Sequence, residues 1–142
     1  MRPVLLDTGV IVALLDRSER HHRACVDALE EVAGPLVTCE AVIAESFYLV
    51  RNLPGAAEAI IQNVKTGTFR IPFQLQTAAA SLQRIFRKYR DRQVGLADAC
   101  LIQLASDLRT GDILTLDGDF EVYRWGPNKP FRLLLKVLEA EI

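Results

Sequence analysis

The chain has 142 residues, half of them hydrophobic and a quarter charged, enough for one domain with a real core and too few for two. No stretch approaches the roughly 18 apolar residues of a membrane span, and the acid at Asp7 comes too early for a secretory leader. The expectation is therefore a single cytoplasmic domain over residues 1–142 with no membrane association. A formal net charge of −1 excludes a globally basic polyanion binder, so any affinity for nucleic acid must come from a local basic patch acting within about 8–10 Å.

In chain order, Val4–Leu6 reads as a short apolar strand, ended by Asp7-Thr8-Gly9 and followed by an apolar helix from Val10 to Leu15. Ser18 is the expected N-cap of a helix reaching about Val32, closed by Gly34-Pro35. Leu36–Thr38 reads as a second strand leading into a helix from Glu40 to Arg51, and Pro54-Gly55 opens another to about Lys65. Thr68–Ile71 is the third expected strand, bounded by Gly67 and Pro72. Helices from Leu75 to Tyr89 and from Leu96 to Arg109 follow, then strands at Asp112–Leu116 and Phe131–Leu134. Strands alternating with helices, and apolar throughout, imply an α/β fold with a mainly parallel sheet covered on both faces.

Cys25, Cys39 and Cys100 stand singly among apolar neighbours, which predicts reduced thiols packed in the core. The two histidines, His21 and His22, are adjacent, a spacing that suits no zinc site. No Gly-rich phosphate loop and no GxSxG elbow is present, and Asp117-Gly118-Asp119 lacks the remaining ligands of a calcium loop.

Four acids carry the chemistry. In open parallel sheets, sites lie outside the carboxyl ends of the strands. Asp7 ends the first strand and Asp117 follows the fourth, so neighbouring strands would bring the two carboxylates to one edge. On its own Asp7 reads equally well as a helix cap. Glu45 has Ala41, Val42, Tyr48 and Leu49 as its helical neighbours, and a carboxylate on an apolar face needs a cation, a hydrogen-bonding network or a raised pKa, unless it meets a core arginine or sits at a boundary reaching water. Asp98 opens a helix beside the apolar stripe Ala97, Leu101, Leu104, Ala105 and Leu108, whereas Glu40 and Asp107 read as solvated acids. An acid in a first turn is also favoured by the helix dipole alone. Grouped carboxylates suit a hard divalent cation, which activates water and neutralises a phosphodiester.

Leu6-Asp7-Thr8 with its apolar helix, Glu45 in mid-chain, Leu96-Ala97-Asp98-Ala99, and Leu114-Thr115-Leu116-Asp117-Gly118-Asp119-Phe120 together resemble the PIN-domain nucleases, from about Val4 to Phe120. The size resembles the VapC-type toxins of toxin–antitoxin pairs. The resemblance implies a three-layer α/β/α sandwich of about five strands in the order 3-2-1-4-5, and Mg²⁺- or Mn²⁺-dependent endonucleolytic cleavage of RNA. It carries over Asp7, Glu45, Asp98 and Asp117 as catalytic, metal-binding acids. Thr8 and Thr115 would support them through their hydroxyls, and Asp119 is a spare acid beside Asp117. Gly95 stands where the family often has serine or threonine. A cognate antitoxin and a homodimer are the implied partners. A non-catalytic RNA- or protein-binding module of the same fold and a metal-dependent phosphatase are the alternatives. Arg84, Arg87, Lys88, Arg90 and Arg92, just upstream of Asp98, form the most basic stretch, which reads either as an RNA-guiding patch or as a solvated helix face with Phe86 packed inward.

Overall fold

The computed structural model describes residues 1–135. Its elements are β1 (Val4–Leu6), α1 (Thr8–Leu15), α2 (His22–Glu31), β2 (Leu36–Val37), α3 (Glu40–Leu49), α4 (Ala56–Lys65), β3 (Phe69–Arg70), α5 (Leu75–Lys88), α6 (Leu96–Leu108), β4 (Asp112–Leu114), β5 (Arg124–Trp125), β6 (Lys129–Pro130) and β7 (Arg132–Leu133), with a 3₁₀ turn at Gly118–Glu121. Five strands make a parallel sheet in the order β3-β2-β1-β4-β7, the expected order with β7 in the fifth place.

The pairing explains why so few residues suffice. Leu5 is opposite Val37 on one side and Ile113 on the other, and Leu6 is opposite Leu114. Leu5, Leu6, Ile113 and Leu114 are wholly buried, with no alternation along β1 or β4, because helices cover both faces of the sheet. The topology reverses at β1, whose neighbours are β2 and β4, so the switch point, where open α/β sheets place their binding crevice, lies where β1 and β4 end. Two residues at those ends are Asp7 and Thr115.

Local differences from the sequence reading have local causes. Ser18 does not cap α2; its amide and hydroxyl both turn back to Asp16 Oδ1, at 3.0 and 2.6 Å, and α2 starts at His22, whose Nδ1 lies 2.6 Å from the Ala13 carbonyl. The strand expected to reach Leu116 ends at Leu114, since Thr115 turns its hydroxyl toward β1. Phe86 is exposed; Leu82 is the buried residue of α5. The antiparallel hairpin β5–β6 was not expected. Its turn uses Gly126 and Asn128 in the left-handed region, and Trp125 packs so closely over Gly111 that a side chain there would collide with the indole.

At the far end of the sheet from the crevice, Asp112 on β4 is buried and receives two hydrogen bonds from Arg132 on β7, at 2.9 and 2.8 Å. This bidentate pair joins the edge strand to the sheet. The three cysteines are buried and free, as expected of core thiols.

Candidate metal-binding active site

Asp7 leaves β1 with extended backbone and caps α1, its Oδ1 accepting the Thr8 amide at 2.8 Å. The two readings of Asp7 are thus compatible, because Oδ2 faces the crevice and accepts the Thr115 hydroxyl at 2.7 Å. The Thr115 oxygen also accepts the Asp117 amide at 3.0 Å. Asp117 in turn caps the 3₁₀ turn through Oδ1, which accepts the Asp119 amide at 2.9 Å. Below them, Thr38 donates its hydroxyl to the Leu6 carbonyl at 2.8 Å and closes the end of β1.

Asp98 reaches the same crevice from the first turn of α6, with Gly95 as the N-cap. One carboxylate oxygen each from Asp7, Asp98 and Asp117 lies within 4.8 Å of the other two. Asp7 is buried, and Asp98 and Asp117 are half-buried. Among the described residues, none of the three is ion-paired with a lysine or arginine. Three acids so close, with no compensating cation among the described residues, could together hold a metal ion. The donors are all hard oxygens, which fits Mg²⁺ or Mn²⁺ and disfavours zinc.

Their electrostatics agree with this. Burial pushes the Asp7 carboxyl above its ordinary value despite the hydrogen bonds from Thr115 and Thr8, and the charges of Asp117 and Glu45 add to the rise. Asp98 is pushed up to about 7, by burial first and then by the charges of Asp7 and Asp117.

Glu45 lies at the flank. Its Oε2 accepts the Thr8 hydroxyl at 2.9 Å, and its charge contributes to the rise at both aspartates. The apolar face expected around it is open, not buried: Tyr48 is 63% and Leu49 55% exposed, and Glu45 itself reaches water. The covered side of α3 is that of Val42 and Ser46. Asp119 is further out, accepting from Arg92 at 3.1 Å, so Arg92 is the member of the basic stretch bonded to the rim. Arg84 and Lys88 line a separate groove along α5, and Arg87 and Arg90 are exposed.

One participant escaped the sequence reading. Tyr123, fully buried, donates its hydroxyl to Asp98 Oδ2 at 3.2 Å. Its ring is held edge-on by Phe120 and Tyr89, at centroid distances of 5.1 and 5.2 Å. The nearest sequence signal is its place three residues after the buried Phe120, which no motif marks.

A family model for the PIN domain matches residues 4–126. The chain is 33% identical over 116 residues to Ribonuclease VapC26 of Mycobacterium tuberculosis (strain ATCC 25618 / H37Rv), a match covering 80% of this chain and 86% of that protein. The crystal structure of Mycobacterium tuberculosis VapC20, described as a sarcin-ricin loop cleaving toxin, superposes with a TM-score of 0.76 over 84% of this chain and 93% of that one. At 16% sequence identity this is a likeness of fold.

Proposed function

The chain belongs to the PIN-domain family, and on that footing we propose that it is a divalent-metal-dependent endoribonuclease, the toxin of a toxin–antitoxin pair. The carrying observation is the approach of Asp7, Asp98 and Asp117 to within 4.8 Å. In this reading these three acids, with Glu45 at their flank, hold Mg²⁺ or Mn²⁺. The ion, when bound, supplies the Lewis acidity that activates water and offsets charge on the scissile phosphate. The chain's own work is positional. Thr115 and Thr8 orient Asp7 and Glu45 through their hydroxyls, and Tyr123 holds Asp98 Oδ2. No side chain acts as a covalent nucleophile, and the products carry a 5′-phosphate and a 3′-hydroxyl. Arg92, paired with Asp119 at the rim, and the neighbouring basic residues bring RNA to the acids.

The relative's printed name, ribonuclease, supports the substrate class. A small antitoxin covering the crevice, a homodimer through exposed apolar residues such as Tyr48, Leu49 and Ile61, and action in the cytoplasm complete the proposal.

The test is incubation of a mixed RNA pool with Mn²⁺, with Mg²⁺, with EDTA, and with folded Asp7→Asn and Asp98→Asn variants. A phosphomonoester is offered in parallel. Metal-dependent RNA cleavage absent from both variants is the expected result. RNA bound and left intact by the wild type would point to a binding module, and release of phosphate from the monoester alone would point to a phosphatase.

A further inference from the structure

Beside α5 lies a groove of about 180 Å³ that the acidic centre does not include. Arg84 and Lys88, one turn apart on α5, line one wall, and Arg124 of β5 faces them from another element. These cations are partly preset. Arg84 donates to Ser81 Oγ at 2.9 Å, and Lys88 Nζ stands 5.3 Å from the centroid of the Tyr89 ring. One guanidinium nitrogen of Arg124 is anchored by the carbonyls of Glu121, Val122 and Tyr123, at 3.0, 3.1 and 2.9 Å, which leaves its other donors available. Among the described residues none of the three pairs with a carboxylate, and the Oδ1 of Asp107, further along α6, is taken by the Gln103 amide at 2.8 Å. Three uncompensated positive charges thus face one groove in a chain whose net charge is −1.

The groove is also connected to the acids. Tyr89, in its wall, packs edge-on against Tyr123, the residue that bonds Asp98, and its hydroxyl accepts the Arg124 amide at 2.8 Å. We propose that this groove is a phosphate-binding track that grips the RNA backbone beyond the scissile bond, through Arg84, Lys88 and Arg124. The identity of the polyanion rests on the ribonuclease reading. Backbone phosphates fit better than an acidic peptide, because the apolar residues of the groove, Ile85 and Ile102, are half-buried or buried and offer no open anchor pocket. The track is indifferent to base sequence, since its contacts are to phosphate.

The experiment is fluorescence anisotropy of a labelled unstructured RNA on the full chain in EDTA, across a salt series, so that binding is read without cleavage. The Arg84→Gln/Lys88→Gln double variant is expected to bind about tenfold more weakly near 0.15 M salt, with the log–log salt slope reduced by about 1.4. An Arg23→Gln/Lys65→Gln variant, with the same charge removed from exposed sites on α2 and α4, is expected to bind as wild type. Wild-type binding by the groove variant, or equal weakening in both variants, overturns the track. Unchanged RNA binding with lost affinity for an oligoglutamate peptide also overturns it and assigns the groove to an acidic protein segment. Cleavage with Mn²⁺ is measured separately: groove-dependent binding without any cleavage leaves the track standing and removes the ribonuclease reading, while cleavage without groove-dependent binding does the reverse.

Discussion

Thr115 donates its hydroxyl to Asp7 Oδ2 at 2.7 Å, across the seam between β4 and β1. Because the same oxygen accepts the Asp117 amide at 3.0 Å, one hydroxyl sets the relative position of two acids from opposite ends of the chain. Thr115→Val keeps the shape and removes both bonds. RNA cleavage is expected to fall about 10–100-fold, the usual cost of losing an outer partner of a metal ligand, with circular dichroism unchanged. Thr115→Ser is expected to recover most of the loss, and a fully active valine variant would show that the bridge has no part in the reaction.

Tyr123 provides a finer adjustment. Its hydroxyl bond lowers the Asp98 pKa against the larger opposing effect of burial. Tyr123→Phe keeps the packing against Phe120 and Tyr89. It is expected to slow cleavage at neutral pH about ten- to a hundredfold, the worth of one hydrogen bond to a charged group. At metal concentrations below saturation the rate should return at higher pH, because protons then compete less with the cation for Asp98. A proportional loss at every pH would mean that Tyr123 acts on structure and not on Asp98.

Asp98 gives the metal-free protein an unusual pH dependence. Its carboxyl holds its proton up to about 7 in the fold, against 3.8 ordinarily, so between those values the native state binds more protons than the unfolded one. Stability then falls as pH rises through this window, and the loss is complete above about 7. Asp98→Asn should remove the effect and stabilise metal-free protein at high pH by about 1–2 kcal/mol, less than the full shift because the group is partly exposed and screened. Chemical denaturation of both proteins across this range, in EDTA, checks it; parallel curves would contradict the assignment.

Asp112 behaves in the opposite sense. The hydrogen bonds from Arg132, followed by the charges of Arg132 and Arg2, hold its carboxyl below 3.8. Its contribution is therefore present above 3.8 and lost as pH falls through the depressed folded value. Arg132→Gln is expected to lower the melting temperature at neutral pH, with the gap to wild type closing in acid. A gap independent of pH would indicate lost packing in place of lost charge pairing.

Asp7, Asp98 and Asp117 were readable in the sequence because each follows an apolar strand or opens an apolar helix, and parallel pairing then carries those ends to one edge. The surroundings of Glu45 were not. Helix α3 is apolar on more than one side, and sequence alone does not say which side other helices cover; Val42 and Ser46 are buried while Tyr48 and Leu49 stay exposed. The β5–β6 hairpin pairs strands of two residues, too short for any periodicity to register. Tyr123 meets Asp98 only because that hairpin and the 3₁₀ turn carry it back over α6, a relationship set by packing and not by spacing.

The most direct measurement is Mn²⁺ binding to the metal-free protein at about pH 8, where Asp98 is ionised, by titration calorimetry on wild type and a folded Asp98→Asn variant. Saturable binding by the wild type, weakened about tenfold or more in the variant, is the result predicted for a cation held between Asp7, Asp98 and Asp117. Equal binding by both proteins, or none by the wild type, would contradict it.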